Sequence, residues 1–137
     1  MTIDIAVWPV VSQSGESRIT QEFKPGRHVG VDIAVPGALT SAHAAVVACA
    51  DGRVAKVYQA PNGGAVLLSH GSWTSAYLHM TDVLVRLGEV VAAGDRIGTM
   101  GADPTDPEGV VHLHFQVAES GQGAVDPAPY LEGLTQT

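Results

Sequence analysis

Two short segments carry the residue types that hold a catalytic metal. His28-Val29-Gly30-Val31-Asp32 sets an imidazole and a carboxylate four residues apart, and His112-Leu113-His114 sets two imidazoles two apart. Catalytic zinc takes three protein ligands of the His, Asp or Glu type and leaves a fourth position to water. Gly30 would let the backbone bend so that both side chains of the first segment reach one point. A His-x-x-x-Asp spacing arises easily by chance in a chain with six histidines. His-x-His on a strand is more telling, because period two puts both rings on one face, about 7 Å apart along the strand. Taken singly, each pair also suits hydrogen-bonded surface histidines, and spacing does not choose between His112 and His114 as a ligand. His79, in Tyr77-Leu78-His79, reads by itself as a partly buried group bonded to backbone. His70 and His43 have no evident partner and read as structural or rim residues.

Positioning such residues falls to short strands. Val111, Leu113, Phe115 and Val117 alternate with His112, His114 and Gln116, so the apolar set takes one face and the histidines the other. Strand-like stretches recur at 44–50, 53–58, 66–70, 72–79, 83–86, 89–92, 96–99 and 110–118. Asp51-Gly52 reads as a hairpin turn between the first two, and Asn62-Gly63-Gly64 marks another turn. Helical periodicity is poor, the best candidate being a short turn near 129–134. This spacing predicts an all-β sandwich or barrel of short antiparallel strands.

Composition bounds the function. With 137 residues the chain makes one domain, 1–137, around one core. A net charge of −7 argues against nucleic-acid binding, which rests on neutralising phosphates, and supplies no pull towards an anionic membrane or wall polymer. The lone cysteine, Cys49, excludes an intramolecular disulfide and reads as a small buried core residue. No apolar stretch approaches the roughly 20 residues of a membrane span, so no membrane insertion is expected. The first eleven residues show no signal-peptide pattern.

Taken in order, His28-x-x-x-Asp32, Tyr77-Leu78-His79 and His112-Leu113-His114-Phe115 resemble the lysostaphin-type (LytM-like) zinc endopeptidases. The likeness extends to Pro9-Val10, Ile19-Thr20-Gln21-Glu22-Phe23, the stretch 28–36, Ala50-Asp51-Gly52-Arg53-Val54, residues 88–98, and Val125-Asp126-Pro127 with Pro129-Tyr130-Leu131. It covers residues 9–131. Three spaced motifs in order, set in matching flanks, outweigh the bland reading of each one alone.

The resemblance implies a small open antiparallel β structure of the duplicated-hybrid-motif type, with a groove running over one zinc ion. It implies His28, Asp32 and His114 as the zinc ligands, with His79 and His112 as catalytic residues beside the water and the scissile carbonyl. His112 is then the candidate general base, and His79 the residue that orients water or stabilises the oxyanion. The implied substrates are the peptide cross-links of bacterial peptidoglycan, either glycine bridges or bonds made by D-alanine to a diamino acid, cut by a monomer.

Extra residues around 37–43, an acidic stretch with Asp103, Asp106 and Glu108 before His112, and Lys24 in place of a common glycine depart from the family pattern. A bare domain with no export signal in view suits a phage-encoded lytic or virion-associated protein, and equally a piece of a longer exported one. The alternative is a catalytically silent scaffold or regulator of the same fold, which would ordinarily lack part of the site. A phosphocarrier domain needs no carboxylate ligand, and a structural zinc site would be closed by four ligands rich in cysteine.

Overall fold

Valine-rich alternation becomes, among the described residues of a computed structural model of the chain, ten strands and one short helix. The residues described are 3–12, 16–35, 44–60, 63–102, 111–134 and 136. The strands are β1 (Val10–Ser12), β2 (Arg18–Gln21), β3 (Val31–Ala34), β4 (Ala44–Val47) and β5 (Gly52–Ala60), then β6 (Gly63–Ser69), β7 (Trp73–Val83), β8 (Val90–Val91), β9 (Arg96–Ala102) and β10 (Val111–Glu119). The helix α1 (Ala128–Leu131) is a single turn, earlier and shorter than the 129–134 expected. Sheet order runs β1-β4-β9-β10-β7-β6-β5-β8, with β3 added to β10 and β2 to β3, and every pairing is antiparallel. The all-β open antiparallel architecture expected from the sequence is therefore present. Among the described residues no helix is long and apolar enough to cross a membrane.

Strand β10 lies at the centre. Val111, Leu113, Phe115 and Val117 are buried on one face, as period two requires, and pack with Tyr77, Ile33, Leu68, Ile97 and Met100 in one apolar cluster. Full burial of side chains of this size contributes roughly 1.5–3 kcal/mol each. This cluster fixes the backbone from which the histidines project.

The turn expected at Asp51-Gly52 does not close a hairpin. β4 pairs with β1 and β9, whereas β5 pairs with β6 and β8. Asp51 Oδ1 instead accepts the Ala93 N–H at 2.8 Å, and a Cβ on Gly52 would lie 2.6 Å from the Ser69 carbonyl oxygen. That dipeptide leads into β5, tied to Ala93 and tight against the end of its neighbour β6. The stretches expected separately at 72–79 and 83–86 also differ: the first continues without a break to Val83, and 84–86 form no strand.

Behind the core, His70 is tied to Cys49 by a chain of hydrogen bonds whose direction is fixed at both ends. The Asp51 carbonyl can only accept, so His70 Nδ1–H donates to it at 2.7 Å, and neutral Nε2 accepts from Ser75 Oγ at 2.7 Å. Ser75 Oγ then accepts the Tyr77 hydroxyl at 2.8 Å, and Tyr77 Oη accepts the Cys49 N–H at 3.0 Å. Cys49 is fully buried, as expected, and His70 proves structural. Burial pushes the His70 pKa down, partly offset by the hydrogen bond to the Asp51 carbonyl and by the Asp51 charge.

The sign of the pH effect follows. Between the lowered folded value and the unfolded value of about 6.5, only the unfolded chain binds the proton. His70 thus contributes stability present above about pH 6.5 and lost as pH falls through the folded value. In denaturant melts from pH 7.5 down to 5, the stability gap between wild type and His70→Gln should narrow. A gap constant across that range would contradict the assigned chain.

Candidate metal centre

His28 is placed by a tight turn. The Arg27 N–H bonds the Lys24 carbonyl at 2.8 Å, and Lys24 and His28 exchange two backbone bonds, each 2.8 Å. Pro25 and Gly26 occupy the corner, with Gly26 at φ 74°, the left-handed conformation a type II turn demands at that position. The turn folds His28 back over β2, and its Nδ1–H donates to the Glu22 carbonyl at 2.9 Å. Lys24, noted as a departure, is accommodated as the residue opening this turn.

Asp32 and His114 meet because β3 and β10 pair in a register that sets them directly opposite. Gly30 makes the approach possible, but not through bending: its φ is not positive, and an added Cβ would lie 2.4 Å from the Phe115 carbonyl oxygen and 2.9 Å from His114 Nε2. The glycine is needed because β10 passes too close for any side chain.

His79 and His112 arrive by a junction of three strands. β7 pairs with β10 up to Leu78↔His114, then changes partner and pairs with β9 from Met80↔Met100. β9 itself takes up β10 at Gly101↔His112. His79 stands between the two registers with φ 67°, the only non-glycine at positive φ among the described residues. Inward residues run Trp73, Ser75, Tyr77 and then Met80, so the alternation slips by one at this point. Without the slip His79 would face the core. An irregularity that re-aims one side chain beside a site is a recurrent use of such a bulge. Gly101 has no room for a Cβ, which would fall 2.8 Å from the His79 carbonyl oxygen.

The five residues expected from the sequence form one cluster, with three histidines at Asp32 and His79 beside two of them. Asp32 Oδ1 lies 3.2 Å from His28 Nε2 and 3.1 Å from His114 Nδ1, and Asp32 Oδ2 lies 4.0 Å from His112 Nε2. The His79 ring centroid is 5.4 Å from that of His112 and 6.0 Å from that of His114. Burial alone would raise the Asp32 pKa. The hydrogen bond from His114 and the positive charge of His112, His28 and His114 outweigh it and hold the carboxyl below its ordinary value.

The donor set fits zinc. One ligand atom from each of His28, Asp32 and His114 lies within 4.8 Å of the others. A tetrahedral ion with bonds near 2.0–2.2 Å spaces its ligand atoms about 3.3 Å apart, close to the two separations at Asp32 Oδ1. Both imidazoles also have the second nitrogen engaged: His28 Nδ1 with Glu22 O, and His114 Nε2 with Gln116 Oε1 at 2.9 Å. With an ion in place, each ring would then be the tautomer that turns a lone pair to the metal and keeps its proton on the outer nitrogen. Sequence reasoning missed both outer partners. Gln116 could have been found, because period two places it on the face of His112 and His114, whereas a backbone carbonyl leaves no trace in the sequence. Segments 36–43 and 103–110, with His43 and the acidic trio Asp103, Asp106 and Glu108, lie outside the described residues.

Residues 26–127 match the model of peptidase family M23. An uncharacterized metalloprotease of Haemophilus influenzae is 35% identical over 127 residues, covering 82% of this chain and 25% of that protein. The murein hydrolase activator NlpD of Escherichia coli is 33% identical over 129 residues, covering 90% and 30%. The peptidoglycan DD-endopeptidase ShyB of Vibrio cholerae is 34% identical over 114 residues, covering 73% and 25%. The chain thus spans less than a third of the length of each of these relatives. Among solved structures, a zinc containing peptidase from Vibrio cholerae superposes with a TM-score of 0.71 at 26% identity, covering 97% of this chain and 41% of that one. The catalytic domain of lysostaphin from Staphylococcus simulans superposes with a TM-score of 0.65 at 25% identity, covering 86% and 92%.

Proposed function

The chain belongs to peptidase family M23, and from that premise we propose that it is a zinc-dependent endopeptidase hydrolysing peptide cross-links of bacterial peptidoglycan. The observation that carries the reading is the convergence of His28, His112 and His114 on Asp32, with the His79 ring beside those of His112 and His114. His28 Nε2, Asp32 and His114 Nδ1 would hold one zinc ion per chain. An ion held there would lower the pKa of a water to near neutral and would polarise the scissile carbonyl.

The remaining steps belong to the chain itself. His112 takes the proton of the attacking water and returns it to the leaving amine. His79, held at the three-strand junction and close to His112, donates to the developing oxyanion. The strained backbone at His79 suits a position where geometry matters more than local stability. The protein acts on the cell wall as a monomer. The relatives above are bacterial proteins, and a phage origin draws no support from them.

A second reading rests on one specific similarity, the 33% identity to a murein hydrolase activator. On that reading the site retains zinc while the protein works through a partner hydrolase. Digestion of intact peptidoglycan with and without a zinc chelator separates the two, with released fragments weighed by mass spectrometry. Chelator-sensitive release of peptide-cleaved fragments is expected, and their masses identify the bond. Stoichiometric zinc with no cleavage of any wall type would hand the site to the activator reading.

A further inference from the structure

We infer that Gln116 is a positioning residue that selects the zinc-binding tautomer of His114. This inference rests on the zinc reading above and deepens it. His114 has two ring nitrogens, and only one faces the donor set: Nδ1, 3.1 Å from Asp32 Oδ1. A metal ligand must present a lone pair there, so the ring proton has to reside on Nε2. Gln116 Oε1 accepts from Nε2 at 2.9 Å and holds it there.

The side-chain amide of Gln116 can act in either sense, and the two orientations have opposite consequences. With Oε1 towards the ring, Nε2 keeps its proton and Nδ1 is free to coordinate. With Nε2–H₂ of the amide towards the ring, imidazole Nε2 must accept, which moves the ring proton to Nδ1 and points it at Asp32. Packing sets where this amide lies, beside the ring of His114. Gln116 is partly buried on β10 on the face of His112 and His114, and its Cγ occupies the space where a Cβ on Gly30 would fall, at 2.9 Å. A Cβ at Gly30 would also meet His114 Nε2 at 2.9 Å. The missing side chain of Gly30 therefore gives the Gln116 stem and the ring edge one shared pocket, and the bond between them forms inside it.

The test measures zinc affinity of the full chain by competition with a chromogenic chelator, alongside the thermal melt of the metal-free protein. Gln116→Met keeps the length and loses the acceptor. Its zinc affinity should fall roughly 10–100-fold, as loss of an outer partner commonly costs. Gln116→Glu offers only acceptors, so it should bind zinc at least as tightly as wild type. The cobalt-substituted proteins provide a second readout, since a His114 ring no longer held by its outer partner changes the ligand-field absorption in the Met variant alone. Zinc binding by Gln116→Met within twofold of wild type would overturn the inference. So would a Glu variant as weak as the Met variant, a comparison that holds even if the Met variant folds poorly. Wild type that binds no zinc would give a different result, overturning the metal reading beneath it.

Discussion

His112→Ala is expected to cut the rate of peptidoglycan cleavage roughly 10²–10⁴-fold while the protein keeps about one zinc per chain, the range attributable to loss of a general base. His112 shares a strand face with His114 and lies near Asp32, yet its Nε2 is 4.0 Å from Oδ2, against 3.1 and 3.2 Å for the atoms of His114 and His28 at Oδ1. On the proposed reading, that difference puts it beside the donor set and not in it. Its partner strand there is β9, through Gly101, and not the metal-side strand β3. Zinc content by atomic emission and cleavage rate at saturating zinc should therefore separate cleanly. Loss of the metal in this variant would mean that His112 is a ligand, and the division of roles would have to be redrawn.

Asp32→Ala should do the opposite and remove the metal first. Asp32 contacts both proposed ligand imidazoles, those of His28 and His114, through the same Oδ1. Without it the two rings remain, their centroids 4.9 Å apart, and the anionic member of the donor set is gone. Zinc affinity should drop by more than the roughly 10–100-fold that an outer partner is worth, and cleavage should fall to background. The fold should survive, because Asp32 faces the site while its neighbours Val31 and Ile33 carry the fully buried contacts of β3. A zinc titration paired with circular dichroism reads both effects. Retention of tight zinc by Asp32→Ala would show that the ion sits elsewhere.

Much of this was legible in the sequence because its physics is local. The alternation through Val111–Glu119 fixes which residues face the core, and with it that His112, His114 and Gln116 share the opposite face. Pro25-Gly26 has the residue types a type II turn prefers at its centre, and that turn delivers His28. The strand-rich class follows from valine and glycine content and from the absence of a 3.6-residue period. Recognition of the five site residues drew on their order and their flanks together.

What the sequence withheld depends on contacts between distant segments. Strands β1, β2 and β3 are three or four residues long, too short for a periodic signal, and are held by partners far along the chain. Asp51-Gly52 has the composition of a hairpin turn, and only the pairing of β4 with β9 and of β5 with β6 decides otherwise. Period two, continued along β7, would have turned His79 into the core; the change of partner from β10 to β9 reverses it. Gly30 likewise owes its identity to β10, which passes within 2.4 Å of where its Cβ would stand. Residue type and local period thus set which groups could do chemistry and on which face they lie. Strand register, a property of residues up to 82 positions apart such as Asp32 and His114, decided that they meet.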